Sequence, residues 1–309
     1  MAKKVTLSSE WLSGCSGCEL SVVDLHEKLL TVLEEVEIVR FPILVDTKGY
    51  PEADVGLISG SLRSEHDVHC AQEMRKSCKT IIAFGTCPVY GGPQGSGYAH
   101  TNEELLHTAF VDNPTTTTSN VPTEVPALLS ENRPLDTEID VDIYLPGCPP
   151  HPAYIFEGLM ALVRGRKPSI GRHNVCFNCD REMTKSDVSE IKRAFEGTPD
   201  PKTCFLSQGY LCFGSVTLDR CLAPCPKNAV PCFSCGGPSE AIITEPNKDV
   251  RSEVARRMAH LTKIPHDEIV VEVEKQAKTH YAYAMASPVF REKPTFLLRK
   301  WVEKKPVAQ

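Results

Sequence analysis

The sequence predicts an α/β protein in two parts, a doubly wound parallel sheet and then an irregular cysteine-rich domain. Strands alternate with amphipathic helices through the first half, the pattern of a parallel sheet with both faces covered. Four of the six cysteines of that half fall in loops just after predicted strands. From residue 171 to 238 the chain carries eight cysteines and few long apolar runs, too little core-forming pattern to stand without staples.

Residues 5–9 predict the first strand. Residues 21–35 predict a helix with Val22, Leu25, Leu29, Val32 and Leu33 on one face, between Asp24, Glu27, Lys28 and Glu34. Further strands are predicted at 36–41, 53–59, 80–84 and 141–145, with a helix over 65–78. On that helix Cys70, Met74 and Cys78 share one apolar face, which assigns both thiols to packing. Residues 91–140 contain GGPQGSG, the run Thr115 to Thr118 and several prolines, and read as an excursion with a short helix near 103–110. Pro152 opens a helix that runs to residue 163, with Gly165 just past its end. The first domain is expected to span 1–167, with a flavodoxin-like arrangement, and the second 168–309, with a helix over 250–261 and a helix or docking tail over 296–302.

With 309 residues and 41% apolar composition, the chain can bury a normal core. Its apolar runs fall far short of the roughly 18 residues that a membrane span needs, so no membrane association is expected. The start, MAKKVTLSSEWLSG, has neither an apolar signal core nor a twin-arginine pair, and predicts a cytoplasmic location. A net charge of −6, from 34 basic and 40 acidic residues, provides no basic stripe for nucleic acid. The short basic stretches at 164–167 and 299–305 read as solvated surface.

Fourteen cysteines in a chain read as cytoplasmic point to metal ligation rather than disulfides. The first group is Cys15 and Cys18 in CSGC, Cys87 in GTCPVYGG and Cys148 in PGCPPHP. In an open parallel sheet the carboxyl ends of strands are where loops converge, so residues remote in sequence can meet there around one cofactor. Structural zinc usually sits between two close CxxC-type knuckles. One CxxC with two distant single cysteines, flanked by glycine and proline, suits a bulkier iron–sulfur cluster better. The second group is Cys176, Cys179, Cys204 and Cys212, and the third is Cys221, Cys225, Cys232 and Cys235. Together they use twelve of the fourteen thiols, leaving Cys70 and Cys78. A scaffold merely stapled by zinc or by clusters is the other reading, and colourless purified protein would favour zinc.

CxxC near the N-terminus, GxCxxxGG after a mid-domain strand and CPPHP at the domain's end resemble the proximal-cluster motif of [NiFe] hydrogenase small subunits. The related subunit of respiratory NADH–quinone oxidoreductases has adjacent cysteines in place of CxxC and lacks the second domain. The resemblance implies three [4Fe–4S] clusters: proximal at Cys15, Cys18, Cys87 and Cys148, medial at Cys221, Cys225, Cys232 and Cys235, and distal at Cys176, Cys179, Cys204 and Cys212. Cys176 stands where the family commonly has histidine, which adds a thiolate's charge and lowers the expected potential, other things being equal. Several respiratory members have a proline in place of one medial ligand; four thiols here imply a full cluster.

No catalytic residue is expected in this chain. It has no remaining CxxC pair for a nickel–iron centre, no Ser/His/Asp pattern, and GGPQGSG lacks the Lys-Ser/Thr ending of a phosphate loop. The resemblance implies a large-subunit partner that splits H2. It is strongest to the cytoplasmic hydrogenases of methanogens that do not reduce F420, whose electrons pass through an iron–sulfur adaptor to heterodisulfide reductase for flavin-based bifurcation. The small subunit of an F420-reducing hydrogenase is the alternative. Glu19, directly after Cys18, is a candidate for a proton path, set against a solvated or capping glutamate. His151 is read as structural, and His66, His69, His100 and His107 as surface or core histidines.

Overall fold

Short strands with apolar residues on both sides build the first part of the molecule. In the computed structural model, which describes residues 4–115, 120–245, 247–276, 280 and 282–287, β1 (Val5–Trp11) leads through α1 (Gly17–Val23) and α2 (Glu27–Glu35) into β2 (Val36–Arg40). There follow β3 (Ala53–Ser59), β4 (Leu62–Ser64), α3 (Glu65–Ser77), β5 (Cys78–Phe84), α4 (Thr86–Tyr90) and α5 (Asn102–Phe110). Then come β6 (Leu128–Arg133), β7 (Ile143–Leu145) and α6 (Pro152–Val163). Five strands form one sheet in the order β2-β1-β3-β5-β7, every pair parallel. This is the doubly wound order, whose connections change direction between β1 and β3 and open a crevice at the carboxyl edge.

Both faces of the sheet are covered, as parallel sheets require. On one face Leu7, Val55, Leu57, Ile82 and Phe84 pack against Val22, Leu25 and Val32 of the first helical segment and Ile155, Leu159 and Met160 of α6. On the other, Ser8 donates its hydroxyl to the Met74 sulfur of α3 at 3.6 Å. Helix α3 is closed by a capping box: Ser64 Oγ accepts from the Asp67 N–H, and the Asp67 carboxylate accepts from the Ser64 N–H.

The structure departs from the sequence expectations at four places. The helix expected over 21–35 is two helices: the chain turns at Asp24–His26, where His26 has φ 52°, and Leu25 stays buried through the turn. Cys78 opens β5 instead of closing α3, and packs where a side-chain carbon on Gly56 would strike its sulfur at 2.8 Å. The final strand is short, Ile143–Leu145. The excursion holds β6, which pairs antiparallel with β4 in a separate two-stranded sheet.

The chain divides into two compact units, one holding the residues up to Ile170 with Tyr283–Ser287, the other Gly171–Ala282. In the second, short turns lead to α7 (Pro224–Lys227), α8 (Glu240–Thr244), α9 (Val250–Leu261) and α10 (His266–Lys275). Its core is fuller than the run of cysteines suggests: Phe205, Tyr210, Phe213, Val254, Met258, Ile269 and Val273 are all buried. The helix or docking tail expected over 296–302 lies outside the described residues. Among the described residues no helix is long and apolar enough to cross a membrane.

Candidate functional site

The first cysteine group meets at the carboxyl edge of the sheet. Cys15 and Cys18 follow β1, Cys87 lies in α4 just past β5, and Cys148 follows β7. Backbone bonds stitch these loops together. Gly85 N–H donates to the Leu145 carbonyl at 2.9 Å and Thr86 N–H to the Gly147 carbonyl at 2.8 Å, while the Gly147 N–H donates to Thr86 Oγ1 at 2.9 Å. Ser21 of α1 ties the remaining loop with a 2.7 Å bond to the Pro150 carbonyl. Gln94 of the glycine-rich run accepts from the Cys87 thiol and donates to the Ser13 carbonyl.

These thiols share a desolvated space. Burial first, and then Glu19 and the other three cysteines, push the Cys18 thiol far above its ordinary value. Burial, with Cys148 and Cys15 adding, pushes Cys87 up to about 12, and burial with Cys15 pushes Cys148 up to about 11. Such a group keeps its protons unless a cationic core takes their place, which is what cluster or metal binding does. Gly85, at φ 106°, and Gly92, at φ 63°, stand where any side-chain carbon would overlap the sulfurs of Cys18 and Cys87. The glycines of GxCxxxGG therefore keep a cradle open.

Glu19 is not solvated. It is fully buried, accepts from Ser59 Oγ at the end of β3, and its Oε2 has no partner among the described residues. Burial raises its pKa, against the Ser59 bond. His151 caps α6, its Nδ1 accepting from the Ala153 N–H at 3.1 Å.

The second group also gathers. Burial and then Cys212, Cys204 and Cys179 push Cys176 up to about 12, although it reaches the surface. Burial raises Cys204 against hydrogen bonds from the Leu206 and Ser207 N–H groups. It takes Cys212 to about 11 against the N–H groups of Cys232 and Gly214.

In the third group, burial takes Cys221 to about 11, with Cys225 among its charged neighbours, and raises Cys232 well above its ordinary value, with Cys212 and Cys235 beside it. Cys232 N–H donates to Cys212 Sγ at 3.3 Å, so the second and third groups adjoin. Cys232, Val175 and Ala223 form a small core on which Cys179, Cys212 and Cys221 pack. Beside it the His280 ring stacks on Phe213 and Phe233 at centroid distances of 4.3 and 5.2 Å.

Among the described residues no three His, Cys, Asp or Glu side chains converge on a single metal ion. Groups of cysteine thiols are the ligands that iron–sulfur clusters take. The donor sets fit iron–sulfur clusters. Sequence reasoning missed Ser59, Gln94, His280 and Arg181; only Gln94, inside a run already singled out, carried a signal.

Residues 15–162 match the family described as NADH ubiquinone oxidoreductase, 20 Kd subunit. Over 247 residues the chain is 42% identical to a subunit of the vhu F420-non-reducing hydrogenase of Methanococcus voltae, covering 79% of this chain and 86% of the relative. It is 35% identical over 294 residues to the corresponding subunit of the F420-non-reducing hydrogenase of Methanothermobacter marburgensis, covering 92% and 96%. A solved NAD+-reducing [NiFe]-hydrogenase in its H2-reduced state superimposes with a TM-score of 0.53 at 33% identity, over 55% of this chain and 96% of that one. Fold, thiol-lined edge and these likenesses define the class, the small subunit of a [NiFe] hydrogenase and so a part of an oxidoreductase complex. Within that class the chain belongs to the family of these F420-non-reducing hydrogenase subunits.

Proposed function

We propose that this chain carries electrons from H2 oxidation in a [NiFe] large subunit through three [4Fe–4S] clusters to an iron–sulfur adaptor and heterodisulfide reductase, where a flavin bifurcates them. The observation that carries the reading is the set of cysteine loops stitched together at the carboxyl edge around two glycine-lined thiols. When bound, the clusters supply one-electron carriers. Cys15, Cys18, Cys87 and Cys148 hold the proximal one within domain 1–167. Cys221, Cys225, Cys232 and Cys235 hold the medial one, and Cys176, Cys179, Cys204 and Cys212 the distal one, within domain 168–309. The contact between Cys212 and Cys232 supports direct passage from medial to distal site. Burial of Glu19 beside the proximal thiols, with Oε2 unpartnered among the described residues, supports a part in a proton path.

Anaerobically purified protein is expected to contain about 12 iron and 12 sulfide per chain, three sites of four. Stoichiometric zinc with little iron overturns the reading. H2-dependent dye reduction is expected only with the large subunit present. Copurification decides the exit: adaptor and heterodisulfide reductase support the proposed route, whereas a subunit that reduces F420 redirects it.

A further inference from the structure

One arginine joins turns from the second and third cysteine groups. Arg181, two residues after Cys179, donates Nε–H to the Pro226 carbonyl at 2.9 Å. Its Nη1 donates to the carbonyls of Asp200 at 2.5 Å and Thr203 at 3.0 Å. The guanidinium also lies 4.0 Å from the centroid of the Phe205 ring. Pro226 follows Cys225, and Thr203 and Phe205 flank Cys204, so a single cation spans the turns of two proposed clusters. Phe205 is buried, which keeps water from one face of the guanidinium.

The charge on this arginine is poorly cancelled. Its hydrogen bonds run to carbonyls, not to a carboxylate. Asp200, on which the Arg181 charge acts, turns its Oδ1 to the N–H groups of Lys202 and Thr203 at 3.0 and 2.7 Å. A second cation near this group, Arg257 beside Cys176, shares the Glu253 carboxylate with Arg256, at 2.9 and 2.8 Å. Through the Thr203 carbonyl the Arg181 charge is held one residue from Cys204.

We propose that Arg181 raises the reduction potential of the cluster held by Cys176, Cys179, Cys204 and Cys212. The inference rests on the cluster assignment proposed above. Reduction adds one electron and no proton, so the site gains one negative charge, and a fixed cation stabilises that state more than the oxidised one. Arg181 is a positioning residue, not an iron ligand. It acts through its field and through the carbonyls it holds.

The test is an anaerobic redox titration of the assembled complex followed by electron paramagnetic resonance. The relevant signal is the one changed by Cys176→Ser. Arg181→Gln is expected to keep its iron and lower this cluster's midpoint potential. The effect should be at least about tenfold in the ratio of reduced to oxidised cluster at fixed ambient potential, the size of one unit charge about 12 Å away in a medium of effective dielectric about 20. Arg181→Lys keeps the charge and should stay near wild type. Asp200→Asn keeps its turn but loses a nearby negative charge, and should raise the potential. A fully iron-loaded Arg181→Gln with wild-type potentials, or equal shifts in the Gln and Lys variants, overturns the inference. If the Gln variant loses iron, Asp200→Asn decides, and no upward shift overturns it. A wild-type complex without three iron–sulfur signals instead overturns the cluster assignment, and this inference with it.

Discussion

At Gly85 and Gly92 the missing side chain leaves room for sulfur, and the two positions separate conformational need from steric need. Gly85 has φ 106°, and a carbon there would overlap Cys18 Sγ. Gly165 also has a left-handed φ, 64°, but nothing lies within 4 Å of a carbon built on it. Gly165→Ala is therefore expected to cost only backbone strain, about 1–2 kcal/mol. Gly85→Ala should displace Cys18 and lose the first cluster. Iron content would fall from about 12 to about 8 per chain, measured by iron analysis on both variants; equal iron in the two would rule out a steric cradle. The glycines were legible beside Cys87 as a motif. Burial of Glu19 against Ser59 was not, because a glutamate between a cysteine and a leucine carries no local sign of its depth.

At the scale of elements, apolar periodicity reports burial better than hydrogen-bond continuity. The face of Val22, Leu25 and Val32 packs as expected, yet the helix is interrupted at His26, since a turn that keeps Leu25 buried preserves the same period. Strand β6 was missed for a related reason: its exposed, alternating residues gain their partner from β4, more than sixty positions earlier. A polar tie across the central strands can be tested directly. Asp54 in β3 accepts from the Thr6 N–H at 3.0 Å and hydroxyl at 2.9 Å, and pairs with Lys79 at 2.7 Å. The Lys79 ammonium, then the two Thr6 bonds, hold its carboxyl well below the usual carboxylate range. A depressed folded-state pKa contributes stability above the unfolded value and loses it as pH falls through the folded one. Asp54→Asn should thus cost about 1 kcal/mol near neutral pH. Its denaturation midpoint should converge on wild type as pH drops below about 4, the unfolded carboxylate value; a gap that does not change with pH would refute the linkage.

Across the whole molecule, the cysteine turns and the helical core of the second unit rest on different supports. Turns carrying Cys204, Cys212, Cys221 and Cys232 are held by local N–H groups and by one another, whereas α9 and α10 bury Val254, Met258, Ile269 and Val273. Anaerobic iron chelation should therefore speed hydrogen exchange of amides over 204–237 by about a hundredfold or more. The parallel sheet and α9–α10 should stay protected. Uniform loss of protection in both units would show that the clusters support the entire fold.

The sequence by itself determined the parallel α/β class, the helix opened by Pro152, and the grouping of the thiols along the chain. Those features are written in short-range period, in the fixed φ of proline and in the spacing of residues with one dominant chemistry. Only the tertiary structure decided that Cys212 adjoins Cys232, that Cys78 belongs to a strand, that Glu19 is buried beside Cys18, and that Arg181 clasps turns from two groups. Each of these joins residues whose separation along the chain is compatible with many other pairings. The choice among those pairings is made by which close packing satisfies the most buried backbone groups at once, a condition imposed by the folded chain as a whole and by no segment of it.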